Sequence, residues 1–393
     1  MIPRLLFPAL SLLFAAFAVV TEPYAHTPES SLCRWGGCRF TQIFDQVHKS
    51  GISDAGMKAL LAEDPANPDQ WCAYGEFLRT KKDLPGAKNA YDRAVTLGNG
   101  LVSVRMRAVN FYFANGYPED ALRQVPTILS TTAEFDEPLF SYVFRSVTPI
   151  EETLGTILPV KPRPARAWLN WLLEQEQAEQ QIVATWSWMQ QHKLLDASSA
   201  SRTVNALWQQ KEYSTARRLW SDWSKENPRG HAQLLTNANF QKAPEPVPFD
   251  WNLAPSDSVR YQTNNGLDIQ FLGKENIDYQ GVRQSVLLTP GRYRFSADVA
   301  SDDLTTDQGP FFVITDPDNT ARLDVQSPPL RGAIARSPVT IDFTAGPSTR
   351  VVVIRLARKP SLKFDSKIAG RLHIYSTSLV PLPAREKLLS SFR

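Results

Sequence analysis

The sequence predicts a multidomain α + β protein, in which N-terminal α-helical repeats are followed by an all-β jelly-roll sandwich. A chain of 393 residues is longer than one ordinary hydrophobic core can organise. Nine of the ten tryptophans precede residue 224 and only Trp251 follows, so the two halves are packed differently. Apolar residues recur at helical spacing in the first half. In the second half they alternate, with turn residues about every ten positions.

The composition excludes several classes of protein. Hydrophobic residues make up 42% of the chain and charged residues 21%, which excludes a disordered chain. There are 43 Lys and Arg against 40 Asp and Glu, and this balance argues against a nucleic-acid partner. Five histidines and three cysteines leave little material for a metal site. We therefore expect a globular protein with no metal and no nucleic-acid partner.

Residues 1–25 have the pattern of an export signal or a membrane anchor. Arg4 precedes an uncharged, mostly apolar run from Leu5 to Val20. This run is short for a membrane-spanning helix, which needs about 17–25 residues. It is slightly long for the apolar core of a signal peptide, usually about 7–15 residues. Cleavage and anchoring by residues 1–20 both stay open. Both predict an exported protein, either periplasmic or anchored to the cytoplasmic membrane and facing the periplasm.

Residues 26–50 form a predicted linker that carries two of the three cysteines. Cys33 and Cys38 bracket a short Gly-containing segment that can close a small disulfide, which an oxidising compartment favours. The alternative, a metal-binding pair, lacks a second pair of ligands. Cys72 lies in a helical pattern and fits a small buried hydrophobe.

Residues 51–230 are predicted to form helical repeats with a period of about 34 residues. Apolar and small residues follow spacings of three and four, the stripe of paired amphipathic helices. The repeat-defining positions are Trp71, Gly75, Ala87, Tyr91, Ala94, Ala121, Ala216 and Trp220. The pattern resembles tetratricopeptide repeats, with residues 130–200 as degenerate copies. The resemblance implies a concave groove for an extended protein partner, and we place Tyr112 and Asn115 in its lining.

Residues 235–382 are predicted to form a β-sandwich, and residues 383–393 a tail. Short alternating segments without intervening helices are typical of a sandwich or jelly roll. The predicted strands are 267–271, 282–288, 291–299, 311–315, 339–343, 350–356 and 370–379.

Three phrases in this half resemble those of jelly-roll carbohydrate-binding modules of the galactose-binding-like type. They are Asn237–Phe240, Gln284–Ser296 and Gly370–Leu379. Such modules often hold a structural calcium ion on acidic residues of the first and last phrases. Gln241 and Tyr375 stand in those regions here, and neither supplies the carboxylate oxygens that calcium prefers. The resemblance therefore implies a sandwich of this type, and the departures at Gln241 and Tyr375 predict that it lacks the calcium ion.

The same resemblance implies a glycan-binding role, for which exposed aromatic rings are needed. The candidates are Trp251, Tyr261, Tyr279, Phe311 and Phe312. For Trp251, which lies in a Pro-Phe-Asp-Trp turn near the first strand, a core or edge-sealing role is favoured. Phe311 and Phe312 point to opposite faces of their strand, so only one of them can face outward.

No catalytic constellation is recognisable in the sequence. The nucleophile-elbow, zinc-protease and P-loop patterns are all absent, and the five histidines are scattered along the chain. The expectation is a non-enzymatic protein without a cofactor. The whole order resembles exported repeat proteins that occur with bacterial exopolysaccharide or O-antigen machinery. This implies a scaffold or adaptor that binds a protein through its repeats. The alternative is a protein whose sandwich recognises a polysaccharide by aromatic stacking.

Overall fold

The computed structural model describes residues 53–146, 150–224, 234–263, 265–363 and 367–383. The predicted signal or anchor, the pair Cys33 and Cys38, and the tail beyond Pro383 lie outside these residues. Contacts divide the chain into two compact units. The repeat unit comprises the described residues as far as Trp171, together with Ser187–Leu194. The sandwich unit comprises Leu172–Trp186 and the described residues from Leu195 onward.

Eleven helices precede the strands in the described part of the chain, in the half where the sequence predicts helical repeats. They are α1 (Asp54–Glu63), α2 (Pro68–Thr80), α3 (Leu84–Leu97), α4 (Val102–Ala114), α5 (Pro118–Thr131), α6 (Asp136–Ser146), α7 (Ile150–Ile157), α8 (Pro162–Leu173), α9 (Glu179–Gln191), α10 (Ala197–Gln209) and α11 (Tyr213–Ser224). No helix among the described residues is long and apolar enough to span a membrane.

Helices α2 to α6 keep a constant register along the chain. Helices α2, α4 and α6 begin at Pro68, Val102 and Asp136, in steps of 34 residues. Helices α3 and α5 begin 34 residues apart as well. The paired helices pack closely, with Ala87, Ala94 and Ala121 fully buried in the repeat unit. The predicted fold class, helical hairpins of tetratricopeptide type in the first half, is confirmed.

Side-chain caps and a shared turn explain where these helices begin. The carboxylates of Asp83 and Asp196 accept backbone N–H groups in the first turns of α3 and α10. In four hairpins, the second residue before the next helix has a left-handed backbone. These residues are Lys82 (φ 64°), Gly116 (φ 83°), Gln177 (φ 58°) and Lys211 (φ 65°).

Ten strands follow in the described residues, all paired antiparallel in two sheets. They are β1 (Asn252–Leu253), β2 (Val259–Thr263), β3 (Leu267–Leu272), β4 (Tyr279–Leu287), β5 (Gly291–Leu304), β6 (Phe311–Thr315), β7 (Asp324–Gln326), β8 (Gly332–Ala345), β9 (Val351–Arg358) and β10 (Ala369–Leu382). One sheet has the order β1-β4-β9-β6-β7 and the other β2-β3-β10-β5-β8. Their inner faces enclose one apolar core, which confirms the predicted sandwich.

The opening phrase of the sandwich lies beside its last strand. The carbonyl of Ala238 accepts hydrogen bonds from the backbone N–H (2.7 Å) and the Oγ1 (3.0 Å) of Thr377. The middle phrase joins β4 of one sheet to β5 of the other, and the Tyr293 hydroxyl donates to the carbonyl of Thr289 at the corner (2.7 Å). The first and last phrases therefore bond to each other, and the middle phrase connects the two sheets.

Helices α10 and α11 belong to the sandwich unit. In the sequence, the change from helical spacing to alternation comes only near residue 230. The Asn205 side-chain amide donates to the carbonyl of Pro246 at 2.8 Å. The rings of Trp208 and Phe249 meet edge to face, with centroids 5.5 Å apart. This helix pair therefore packs on the sandwich as part of its own unit.

Candidate functional sites

A cleft of about 380 Å³ lies across α2 and α4 of the repeat unit, and we call it the repeat groove. Its lining residues are Cys72, Glu76, Arg79, Tyr91, Arg107, Asn110, Phe111, Ala114 and Asn115. The rings of Tyr91 and Phe111 stack with centroids 4.6 Å apart and form an apolar floor. Asn110 is exposed at its wall. The groove thus combines an aromatic floor with amide groups able to donate and accept hydrogen bonds.

The charged groups that line the repeat groove all have ion-pair partners. Arg79 binds the Glu76 carboxylate through two atoms, at 2.6 and 2.9 Å. Arg107 forms an ion pair with Asp69. Burial raises the pKa of the Cys72 thiol to about 11, so this thiol stays protonated near neutral pH. The groove therefore offers neutral polar groups and balanced charges.

Of the two residues that we assigned to the groove from the sequence, only Asn115 lines it in the structure. Asn115 lines it, and its amide nitrogen donates to the carbonyl of Phe111 at 2.7 Å. Tyr112 is 1% exposed and lies in the core, where its hydroxyl donates to Asp92 at 2.6 Å. Neighbouring residues on a helix point in different directions, so Phe111 reaches the groove and Tyr112 does not.

Three of the five aromatic candidates of the sandwich are core residues, which corrects the expectation of exposed rings. Trp251, Tyr279 and Phe312 are only 1%, 3% and 1% exposed. Tyr261 is half-buried and donates its hydroxyl to that of Tyr279 at 3.1 Å, and Phe311 is half-buried on the outer side of its strand. Tyr279 and Phe312 fill the space between the sheets, because strand alternation turns them inward. Trp251 precedes β1 and packs in the same core against Phe240, with centroids 5.1 Å apart. These buried rings cannot stack on a sugar.

A second cleft, of about 410 Å³, lies on the outer face of the β1-β4-β9-β6-β7 sheet within the sandwich unit. We call it the sheet cleft. Two neighbouring rows of the sheet contribute to its lining. One row aligns Asn252, Arg283 and Arg355, and the next aligns Ser285, Val353 and Thr315. No carboxylate is among the lining residues in the described part of the chain.

The two arginines of the sheet cleft lie directly opposite each other on β4 and β9. Arg355 donates to Gln280 Oε1 at 3.1 Å and to Thr315 Oγ1 at 3.2 Å, and its Nε is buried without a partner among the described residues. Arg283 is exposed. Two positive charges therefore share this floor, and the recorded bonds of Arg355 go to neutral acceptors.

Helix α10 supplies an aromatic wall for the sheet cleft. The half-buried Trp208 lines it beside Asn205 and Gln209. Tyr213 and Phe249 hold the Trp208 ring, with centroids 4.6 and 5.5 Å away. The ring is thus fixed in place at the edge of the cleft.

A third cavity, of about 460 Å³, opens beside the last strand of the other sheet. Its lining residues are Asn239, Gln241, Asn265, Arg336, His373 and Tyr375. Gln241 and Tyr375, which stand where the resembling modules have calcium ligands, therefore meet here. The Arg336 guanidinium lies 4.0 Å from the centre of the Tyr375 ring. Neutral donors beside a guanidinium do not fit a calcium ion. No cluster of three or more metal-ligating residues occurs in the described residues.

The histidine of this cavity belongs to a contact that sequence reasoning missed. His373 Nδ1 lies 2.8 Å from Asp268 Oδ1 on the neighbouring strand. The sequence separates these residues by 105 positions, and only the pairing of β3 with β10 brings them together. Arg283, Arg355 and Trp208 were missed for a similar reason, because strand alternation shows that a residue faces outward but not which residue lies beside it.

No family model and no curated protein matches this chain. Solved structures are similar to one half or the other. The carbohydrate-binding module TmCBM61, solved with β-1,4-galactotriose, is 13% identical and covers 38% of this chain and 99% of its own, with a TM-score of 0.28. The Pseudomonas aeruginosa protein pilF is 13% identical and covers 49% of this chain and 77% of its own, with a TM-score of 0.23.

A third similar structure is an enzymatically active domain of tailspike protein 4 from bacteriophage CBA120. It is 15% identical and covers 38% of this chain, which spans 22% of the tailspike domain, with a TM-score of 0.27. At these low scores, the assignment rests on the helices and sheets themselves. The chain joins tetratricopeptide-like helical hairpins to an all-β sandwich of two antiparallel sheets.

Proposed function

We propose that this protein is a non-enzymatic adaptor of the bacterial envelope that holds an extended segment of a partner protein in its repeat groove. The observation that carries the proposal is the groove itself, with Tyr91 and Phe111 as its floor and Asn110 and Asn115 at its side. An extended peptide exposes unpaired backbone N–H and C=O groups, and asparagine amides can pair with both. The paired charges around the groove favour a segment of low net charge.

The envelope part of the proposal rests on the sequence. The uncharged run from Leu5 to Val20 fits export or anchoring, and the spacing of Cys33 and Cys38 fits an oxidising compartment. A role in exopolysaccharide or O-antigen assembly or export follows from the family resemblance alone. It belongs to the proposal as its most specific part.

Site-specific photo-crosslinking in the producing cells tests the groove. A photo-reactive residue is placed at Asn110, and a matched one at Arg93, an exposed position on α3 outside the groove lining. We expect a discrete protein adduct from position 110 and none from position 93. The adduct should weaken when Asn115→Ala is added. Equal labelling from both positions, or no adduct from position 110, would contradict the proposal.

Protease accessibility tests the location. We expect the chain to be degraded when protease is added to cells whose outer membrane has been opened and whose cytoplasmic membrane is intact. Protection until the cytoplasmic membrane is lysed would contradict export. Thiol labelling before and after reduction then tests the bond between Cys33 and Cys38, with the buried Cys72 as internal reference.

The alternative function, glycan recognition by the predicted aromatic rings, loses its main support because Trp251, Tyr279 and Phe312 are buried. A saccharide role for the sandwich unit therefore depends on other residues.

A further inference from the structure

We infer that the sheet cleft binds an acidic saccharide, a chain with uronic-acid carboxylates. The inference goes beyond the adaptor role and does not depend on the repeat groove. It starts from Arg283 and Arg355, whose side chains leave the same face of the sheet on adjacent strands. Like charges directly opposite each other in an antiparallel pair destabilise the sheet. A bound anion between them removes this penalty.

The acidic groups around the cleft do not neutralise the two arginines. Asp318 is bound to Tyr213 and Lys211, and Asp316 to Thr349. Asp324 lies on the edge strand of the same face, and no recorded ion pair in the described residues joins it to either arginine.

The arginine geometry suits a carboxylate. A guanidinium can donate two parallel hydrogen bonds to the two oxygens of a carboxylate, and charge-assisted bonds of this kind are stronger than neutral ones. Arg355 is held in place by Gln280 and Thr315, so part of the ordering cost is met before a ligand arrives. Arg283 is exposed beside it and completes the positive floor.

The remaining lining suits a sugar ring. The Trp208 ring is held by two other aromatic rings and offers an apolar surface, and the axial C–H groups of a pyranose can pack on such a surface. Asn205, Asn252 and Thr320 add neutral polar groups at the sides. A cleft that combines an aromatic wall, neutral polar groups and two cations fits an acidic saccharide better than a neutral one.

Calorimetric titration of the full chain tests the inference. The probes are tetrasaccharides of galacturonic, glucuronic and mannuronic acid, each with its neutral hexose counterpart, at low and high salt. We expect at least one acidic tetramer to bind, its neutral counterpart to bind much more weakly, and the affinity to fall as salt rises.

Variants then locate the site. Arg283→Ala should weaken binding of that acidic tetramer about tenfold or more, because one charge-assisted contact is lost. Arg283→Glu should abolish it. Arg260→Ala removes the same charge from an exposed position on β2 of the other sheet and should leave the affinity unchanged.

Three results would overturn the inference. They are binding of none of the acidic tetramers, equal binding of an acidic tetramer and its neutral counterpart, and equal effects of Arg283→Ala and Arg260→Ala. Arg283 and Arg260 are exposed, and Arg283→Ala also removes the like charge opposite Arg355. We therefore expect no fall in the unfolding temperature of either variant, which separates loss of the site from loss of the fold. Arg283→Lys keeps the charge and should restore part of the affinity. The crosslinking result at Asn110 is independent of all these outcomes.

Discussion

At the scale of single residues, Arg358 is a charge buried inside the sandwich unit. It is 0% exposed, and its guanidinium donates to the carbonyls of Gln308 and Ile277 and to Oδ1 of Asn276. Burial lowers the pKa of this arginine, since water no longer solvates the charge. The side chain joins the end of β9 to the two loops that carry these carbonyls.

Replacing Arg358 by Met should destabilise the protein by more than about 3 kcal/mol, because each buried group left unpaired costs about 1–3 kcal/mol. Urea unfolding followed by circular dichroism measures the loss. Arg294→Met is the matched control, since its ion pair with Asp342 is exposed and its loss should leave stability nearly unchanged. Similar losses in both variants would contradict the role assigned to Arg358.

Gly75 is the contact point between α2 and α3. A Cβ atom built there would lie 2.8 Å from the Tyr91 ring, which real Cβ contacts do not allow. We expect Gly75→Val to cost about 1–3 kcal/mol through overpacking. Thermal unfolding measures it. Gly100→Ala, where a Cβ would meet nothing within 4 Å, should change stability little. A Val variant as stable as the parent would show that these helices can separate freely.

At this scale, the sequence predicted which residues suit a core position better than it predicted the direction and the partners of each side chain. It recognised that Trp251 fits the core and that only one of Phe311 and Phe312 can face outward. It could not give the direction, because alternation fixes a relative orientation and not the absolute one. The prediction that Tyr112 lines the groove was wrong, because its side chain is buried and its hydroxyl donates to Asp92. The spacing of apolar residues does not reveal this partner.

At the scale of elements, one carboxylate joins the turn before α11 to the sandwich. Asp318 accepts the Tyr213 hydroxyl at 2.9 Å and lies 3.2 Å from Lys211 Nζ. Burial acts to raise the pKa of Asp318, but the hydrogen bonds from Tyr213 and Lys211 outweigh it, and the pKa lies below its ordinary value. The charged carboxylate therefore stabilises the folded state.

This contact should make stability depend on pH. A carboxyl whose pKa is lowered by folding adds stability above its unfolded value, about 3.9, and loses it as the pH falls through the folded value. Asp318→Asn should therefore be less stable than the parent at neutral pH, and the gap should close below about pH 4. Unfolding temperatures across this range measure the gap, with the exposed Asp257→Asn as control. A gap that stays constant with pH would contradict the charge effect.

The residue with a left-handed backbone in the hairpin turns allows a test of how much the backbone of a turn contributes to stability. Gly116→Ala should cost about 1 kcal/mol, because a side chain at this backbone angle is strained. Lys82→Ala changes a side chain at the equivalent turn without changing that strain, so its stability should stay the same. Chemical unfolding compares the two, and an equal effect in both would exclude the backbone as the cause.

The sequence predicted elements well where apolar residues dominate them. The strand 311–315 was predicted with its observed bounds. Strands β1 and β7 were missed because two or three residues are too few to show alternation. Strand β2 was missed although it is longer, since exposed polar residues occupy most of its positions.

At the scale of the whole molecule, the last helix pair packs with the sandwich. The sequence could not show this, because Ala216 and Trp220 follow the same pattern as the earlier repeats. Residues of α10 outside that pattern, Asn205 and Trp208, make the contacts with the sandwich. The change from helical spacing to alternation predicted two domains. Which of the two compact units contains the last helix pair could not be predicted, because long-range contacts decide it.

A fragment of residues 172–393 should therefore unfold cooperatively, at a higher temperature than a fragment of residues 232–393. The shorter fragment uncovers Phe249, which is 2% exposed in the chain and lies against Trp208 and Arg217. Circular dichroism melts of both fragments measure the difference. Equal melting temperatures would show that the helix pair contributes nothing to the sandwich.

The constant step between helix starts has a consequence for how this protein can change over generations. A duplication of residues 68–101 inserted before Val102 gives each new helix the same neighbours in sequence as the old one, because starts recur every 34 residues. The sandwich unit, which begins only at Leu172, is untouched by such an insertion. Relatives of this protein are therefore expected to differ in length by whole multiples of that step, and deletions of other sizes between α2 and α5 to be rare.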